Sequence, residues 1–404
     1  MAKMKILIIT DDYLPKSKKV SAKMLHELAC EFYKLGHQVC CVTPNNYSDS
    51  AHEVINEIEV FRFKTGAVKN TGKLKRLINE LRFSNKVWKL VNKNNLKPDA
   101  IVYYSPSIFF GKAVIKLKKH FSIPSYLVLR DFFPQWTIDH GIIKQQSLIA
   151  KFLRYYESVN YQAASHIGVM SPANLSWFNS YTDKRYIENC SVLYNWVDTD
   201  SLDSIAPNVE FRQKYALEDK VIFIYGGNIG FAQNMQNVVN LAYQMRSYSQ
   251  AQFVLIGQGD EYQLVANAIK KFELNNILLL PGVSQKEYFS IQKIADVGLF
   301  SLHKDHKAHN FPGKILGYVS QPLPVLGSVN SGNDLMELIN KRNAGLVSLT
   351  GDDSVLYANA IKLLDKRCRQ EYAMNAKRLA KSVFSVESAA EKILDVFVGK
   401  RSEN

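Results

Sequence analysis

The sequence predicts an α/β fold of two Rossmann-like domains, each a parallel sheet with helices on both faces. Three observations carry this. Short apolar runs alternate with amphipathic stretches along the chain, and strict strand–helix alternation marks parallel sheets covered on both sides. The alternation pauses once, over the polar, proline-containing stretch from Asp198 to Lys220, before a fresh series starts at VIFIYGGN. At 404 residues the chain has room for two domains of the usual ~100–200 residues.

In chain order, the strand-like runs are KILIIT, QVCCVT, EVFRF, AIVYY, SYLVL and HIGVM, then VIFIYG, QFVLIG, NILLL, VGLFS and PVLG. Between the first two, SAKMLHELACEFYKLGH puts Met24, Leu25, Leu28, Phe32 and Leu35 on one helical face, and Gly36 ends the helix. The segment KLKRLINELRFSNKVWKLVNKNN predicts one amphipathic helix, apolar through Leu74, Leu77, Ile78, Leu81, Trp88 and Val91 and basic on its other side. The expected boundaries are 1–200 for the first domain, 201–215 for a linker and 216–380 for the second domain. Residues 381–404 are expected to form a helix returning toward the first domain. Open parallel sheets bind ligands beyond the carboxyl ends of their strands, so two such domains facing one another predict a central cleft.

Composition narrows the class. The five cysteines, Cys30, Cys40, Cys41, Cys190 and Cys368, form no C-x-x-C pair, which is core usage in a reducing compartment rather than a disulfide framework. The opening MAKMKILIITDDYLP reads as a strand and not a signal peptide, and no run approaches the ~18 apolar residues of a membrane span. The expectation is a cytoplasmic chain, peripheral to a membrane if it meets one. The formal net charge is +14. Much of the excess lies between Lys64 and Lys97, where Glu80 is the one acid, and continues in Lys112, Lys116, Lys118 and Lys119. Such a field attracts anionic lipid, nucleic acid or phosphorylated substrates, or is simply a solvated basic face.

One loop stands out for chemistry. HKDHKAHNFPGKILGY, from His303 to Tyr318, follows the strand-like DVGLFSL. Pro312 and Gly313 allow close backbone approach, a helix from about Gly313 offers free N–H groups, and Lys314 adds a full charge in its first turn. Gly226–Gly227, with Asn228, and Gly257–Gln258–Gly259 end strands of the same domain. Ser331–Gly332–Asn333 follows the next strand and precedes another helix. In the first domain, Asp11, Asp12 and Tyr13 end the first strand, and Lys16, Lys18 and Lys19 follow as candidate phosphate contacts. Arg130 and Asp131 end the strand in YLVLRDFFPQW, where an aspartate can accept a proton from an acceptor hydroxyl.

These runs together resemble the GT-B glycosyltransferases, and locally the large retaining family that uses nucleotide sugars. LGHQV after the first helix, SVLYNWVD before the linker, IYGGNIGFAQNMQNVVNLA, LIGQGDE and LPGVSQKEY carry the resemblance over nearly the whole chain. RDFFPQW, GNIGFAQNM and HNFPGKILGY are similar to bacterial transferases of N-acetyl-L-fucosamine, or a related 2-acetamido-6-deoxyhexose, in O-antigen or capsule synthesis.

The resemblance implies a retaining, metal-independent transfer from a UDP-sugar to an undecaprenyl-diphosphate-linked sugar at the inner face of the plasma membrane. It implies that the Lys314 loop cradles the donor diphosphate and that Gly282 and Val283 present backbone atoms to uracil. The departures are specific. A glutamate pair common in relatives aligns with His309 and Gly317, and an Arg/Lys pair with Asn228 and Gln233. His309 then donates to sugar or phosphate, while Lys314, the histidines or Arg130 carry more of the diphosphate. Two metal readings are set aside: Asp198–Thr199–Asp200 sits at the linker, and His303, His306 and His309 have no nearby Cys or Glu in sequence. The rival readings are a UDP-sugar epimerase of the same layout, a degenerate membrane-associated binding protein, and a nucleic-acid module, for which no motif is present.

Overall fold

Four of the five residues of β1 (Lys5–Ile9) are apolar and fully buried, without the alternation of a half-exposed strand. Such a strand needs cover on both faces and belongs at a sheet centre. A computed structural model places it there, and describes residues 2–17, 19–45, 51–66, 72–139, 141–305 and 311–402. The chain divides into two compact units, 1–194 with 386–404, and 195–385.

In the first unit β1 is followed by α1 (Val20–Lys34), β2 (Gln38–Asn45), β3 (Ala51–Ile55), β4 (Ile58–Lys64), α2 (Lys73–Leu81) and α3 (Phe83–Lys93). Then come β5 (Ala100–Ser105), a 3-10 turn (Ile108–Phe110), α4 (Gly111–Phe121) and β6 (Ser125–Leu129). α5 (Gln135–Asp139), α6 (Leu148–Ala163), β7 (His166–Val169), α7 (Pro172–Tyr181) and β8 (Cys190–Val192) complete the series. Among the described residues the sheet order is β3-β4-β2-β1-β5-β6-β7-β8, parallel except for the antiparallel β3–β4 pair. The last helix, α17 (Val386–Ser402), belongs to this unit and packs on α1.

The second unit begins with two short helices in the stretch read as a linker, α8 (Thr199–Asp203) and α9 (Glu210–Lys214). The alternation then runs β9 (Val221–Asn228), α10 (Met235–Gln244), β10 (Ala251–Gln258), α11 (Tyr262–Lys271), β11 (Ile277–Pro281) and α12 (Gln285–Gln292). It continues through β12 (Val297–Ser301), α13 (Lys314–Ser320), β13 (Val325–Val329), α14 (Leu335–Lys341), β14 (Gly345–Leu349), α15 (Asp353–Lys362) and α16 (Lys366–Val383). The sheet order β11-β10-β9-β12-β13-β14 is that of a doubly wound nucleotide-binding sheet. The two Rossmann-like units are those the alternation predicts.

Three readings are corrected. The first sheet is not wholly parallel: AHEVI pairs back on β4 through Asn56 and Glu57, both at positive φ, 48° and 66°. That turn geometry suits the right-handed twist of a hairpin. The basic segment after β4 is two helices that meet at Arg82, because they serve different cores. Phe83, Val87 and Val91 of α3 enter the main core, while Leu77 and Leu81 of α2 pack on Ile108, Phe109 and Leu153, and Ile78 is exposed. On α1, Leu25, Leu28 and Phe32 are fully buried, worth about 1.5–3 kcal/mol each, but Leu35 lies past the helix end and is exposed.

Candidate functional site

In the second sheet the chain order reverses between β9 and β12. Strand connections leave in opposite directions there, which opens a crevice at the carboxyl edge. Beside that point lie the loop after β9, which follows Gly227 and Asn228 at the end of that strand, and the loop after β12, holding His303 and leading to Lys314. They are tied together: the His303 N–H donates to the Ala232 carbonyl at 2.9 Å, and the His303 ring stacks on Phe231 at 4.4 Å. Two further bonds hold the β9 loop to the end of β10, Phe231 N–H to Asp260 Oδ1 at 3.4 Å and Met235 N–H to Glu261 Oε2 at 2.9 Å.

Lys314 is the first residue of α13, after Gly313 at its N-cap. Its side chain does not run out to solvent. The Nζ is shielded, has no hydrogen-bond partner among the described residues, and lies 3.4 Å from the centroid of the Tyr225 ring. Burial holds its pKa well below the usual lysine value. The Tyr225 hydroxyl donates to the Asn228 carbonyl at 2.6 Å, so one aromatic ring joins the ammonium to the end of β9. Tyr318, fully buried one turn along α13, donates to the carbonyls of Ile224 and Leu299 at 3.2 and 2.9 Å, which pins α13 across the β9–β12 junction.

The glycines divide into two kinds. Gly257 and Gly259 are required by packing, since a Cβ would lie 1.9 Å from the Gly227 carbonyl oxygen and 2.2 Å from that of Ile229. Gly227 (φ +105°) and Gly332 (φ +78°) hold the left-handed backbone that side chains resist. Among the described residues, nothing lies within 4 Å of where a Cβ on Gly313 would be, and for Gly282, beside Gly257 and Gln258, nothing is closer than 3.8 Å. Pro312 and Val283 are half-buried, and Ser331 is exposed ahead of α14. Asn228 is exposed and its amide donates to Gln233 Oε1 at 2.6 Å. His306 and His309 lie outside the described residues, as does Lys18.

Gly317 faces inward. A Cβ there would approach Phe289 Cε1 at 3.2 Å and Gln292 Oε1 at 3.3 Å, so a larger side chain needs Phe289 to move. Gln292 itself is fully buried, and neither amide atom has a partner among the described residues. Gln292 and the half-buried Tyr288, whose ring covers Gly226, escaped sequence reasoning. The available signal was their i, i+4 spacing on α12, which puts both on the covered face.

In the first unit the order reverses between β1 and β5. Asp12 follows β1 and ion-pairs with Lys19 at 3.5 Å, with Asp11 at 3.9 Å from the same ammonium; Lys16 is exposed. Tyr13 is turned into the core, its hydroxyl 2.9 Å from His26 Nδ1, so it anchors this loop from below. Arg130 is also turned inward. Its guanidinium donates to the carbonyls of Gly168 and Tyr194 at 3.4 and 3.1 Å, and burial lowers its pKa to about 10. Asp131 is half-buried just beyond β6, and its pKa is pushed up to about 6 by burial, opposed by the Phe132 N–H. Among the described residues no group of three or more His, Cys, Asp or Glu is placed to hold a metal ion, and no helix is long and apolar enough to cross a membrane.

Residues 21–201 match the model of Glycosyltransferase Family 4, and residues 208–382 that of Glycosyl transferases group 1. WcaI of Escherichia coli K12, named for colanic acid biosynthesis as a glycosyl transferase, is 24% identical over 73% of this chain and 76% of its own. Sucrose-phosphate synthase of Thermosynechococcus elongatus superposes with a TM-score of 0.72 at 14% identity, covering 100% of both chains. HepE of Anabaena, solved in complex with UDP, superposes with a TM-score of 0.68 at 16% identity, over 98% of this chain and 100% of its own.

Proposed function

We propose, for a chain that is a GT-B-fold glycosyltransferase related to the family 4 and group 1 transferases, that its second unit binds a UDP-sugar and its first unit the acceptor. The donor sugar in this reading is a 2-acetamido-6-deoxyhexose, with N-acetyl-L-fucosamine as the first choice. The acceptor is a lipid-diphosphate-linked sugar of surface polysaccharide synthesis, met at the inner face of the plasma membrane. The likeness to HepE, whose structure contains UDP, and to WcaI of colanic acid synthesis supports the nucleotide and the product class.

The observation that carries the reading is the Lys314 ammonium. Its Nζ is shielded and finds no hydrogen-bond partner among the described residues; such a buried cation costs free energy, and an anion beside it recovers that cost. Gly313 precedes it in the chain, and the Tyr225 ring under it donates through its hydroxyl to the carbonyl of Asn228, the residue after the left-handed Gly227; in this reading a diphosphate approaches the backbone at those glycines. In the transfer, the bond from the sugar C1 to the diphosphate oxygen breaks and the electron pair leaves with the diphosphate. Lys314 meets that charge, a pre-aimed donor in a shielded site. The acceptor oxygen forms the new bond on the same face of the sugar, and Asp131 takes its proton. Ser331, Gly332, Asn228, Gly257, Gly259, Gly282, Val283 and Pro312 line the donor side in this assignment. Asp12, Lys16 and Lys19 serve the acceptor side, while Tyr13 and Arg130 hold its backbone. No metal is required, because the leaving charge is met by Lys314.

The test is a donor screen by calorimetry with EDTA present, using UDP, UDP-N-acetyl-L-fucosamine, UDP-N-acetylglucosamine and a GDP-sugar. Tightest binding of the fucosamine donor supports the full reading. Preference for the GDP-sugar overturns it.

A further inference from the structure

The helix α6 has a solvent face unlike that of an ordinary surface helix. Its inward face is orthodox: Ala150, Leu153, Asn160 and Tyr161 are buried. Its outward face carries Leu148, Ile149, Phe152 and Tyr155, exposed at 84%, 47%, 37% and 54%. Surface helices normally put polar residues there, and contiguous exposed apolar side chains mark an interaction surface. The one acid of the helix, Glu157, is turned inward and accepts hydrogen bonds from Arg154, Tyr161 and Tyr181 at 3.0, 3.1 and 2.7 Å. The outward charge of α6 is therefore that of Lys151.

The neighbours of this face are basic. α4 packs along α6 and presents Lys112, Lys116 and Lys119 to solvent. Lys112 lies 5.1 Å over the Tyr155 ring and 4.7 Å over the Tyr156 ring, at the border between the lysines and the apolar ridge. Leu77 and Leu81 of α2 share a cluster with Leu153 of α6, Phe133 and Ile143. That cluster lies just beyond the carboxyl ends of β5 and β6, the end that also holds Asp131.

We propose that the outward face of α6, with the lysines of α4 beside it, is the surface by which this chain lies on an anionic phospholipid bilayer. An apolar ridge flanked by the lysines of α4, on a helix whose one acid is turned inward, fits that partner: the ridge enters the acyl boundary and the lysines meet the headgroups. The surface adjoins the end of the sheet where Asp131 sits, so a lipid-linked acceptor reaches that aspartate without leaving the membrane. In this purpose the proposal rests on the acceptor reading above; the docking surface is argued from its own residues.

The experiment is co-sedimentation of the full chain with vesicles of phosphatidylglycerol and phosphatidylcholine, and with phosphatidylcholine alone. The comparison is with a Leu148→Glu/Phe152→Glu variant, whose substituted side chains are exposed. The wild type should bind the anionic vesicles about tenfold more than the neutral ones, and the variant should lose about tenfold of that binding. Equal binding by the variant, or no preference for anionic lipid, overturns the proposal. So does a wild-type dimer that the variant converts to monomer, which would assign the face to a second copy. UDP titration of both proteins, run in parallel, separates the outcomes: vesicle binding lost with UDP binding intact concerns the surface, and absent UDP binding concerns the donor site.

Discussion

The Lys314 ammonium lies 3.4 Å from the centroid of the Tyr225 ring, and the Tyr225 hydroxyl is bonded to the carbonyl of Asn228. The helix start after β12 and the end of β9 are thus joined through one aromatic side chain. A cation on a ring face is held by the ring quadrupole, but more weakly than by a full counter-charge. This arrangement leaves the ammonium's donors available to an anion.

Lys314→Met should stabilise the fold near neutral pH. The folded-state pKa of Lys314 is lowered by burial, so between that value and the unfolded value the unfolded chain binds more protons. Stability of the wild type then rises with pH across this window. The variant should lose that slope and melt higher below the window, by about 1–3 °C given the size of the chain. Thermal unfolding of both proteins across a pH series checks it, and a lower-melting variant would show that the ammonium has a stabilising partner.

Asp131→Asn should lower the transfer rate about 100-fold, a typical loss for a general base. For the wild type, kcat/KM should fall about tenfold per pH unit below a pH of about 6, the pKa to which burial pushes Asp131. Stability moves oppositely. Between the unfolded aspartate value and about 6 the folded state binds the extra proton, so wild-type stability falls as pH rises through that window. The Asn variant should therefore be the more stable protein at pH 7.5, with the two converging in acid. A pH–rate profile and urea unfolding at two pH values test both halves.

Gly257→Ala and Gly313→Ala should separate folding from binding. A Cβ at Gly257 meets a backbone oxygen at 1.9 Å, so that variant should lose more than about 2 kcal/mol of stability. Gly313 has ordinary helical φ and no described atom where a Cβ would lie, so its alanine variant should unfold within about 0.5 kcal/mol of wild type. If the backbone at Gly313 receives the diphosphate, the same methyl should weaken UDP binding by about tenfold. Denaturant midpoints and nucleotide titrations distinguish the two.

Chelation should leave transfer unchanged. With the leaving charge met by Lys314, rates in EDTA and in added magnesium should agree within about twofold. A rate that collapses in EDTA would place the leaving-group charge on a metal instead.

Much of the fold was legible because strand and helix periods differ and β1 and β9 are uninterrupted apolar runs. What escaped was short or half-polar. AHEVI alternates too weakly to stand out, and only the Asn56–Glu57 turn betrays its pairing with β4. KLKRLINELRFSNKVW reads as one helix because both pieces share a period, and only the two separate cores show why Arg82 divides them. At the candidate site, the strand-end position of Lys314 was legible, but the direction of its side chain was not, since lysines usually point to water. Tyr225 read only as strand core. The glycines at 257 and 259 looked alike with those at 227 and 313, and the backbone had to be seen to tell packing from open approach. The outward face of α6 was missed because LIAKFLRYYESVNYQA has the same periodicity whichever apolar side is buried.

The most direct test of the central claim is a calorimetric titration of UDP into the wild type and the Lys314→Met variant, in EDTA. The account predicts metal-free binding by the wild type and a loss of about 100-fold in the variant, the worth of a shielded charge on a diphosphate. It also predicts that wild-type affinity weakens as pH rises through the lowered pKa of Lys314, while the variant shows no such dependence. Equal UDP affinity in the two proteins would contradict the account, because the nucleotide would then be held by something other than the cation at the start of α13.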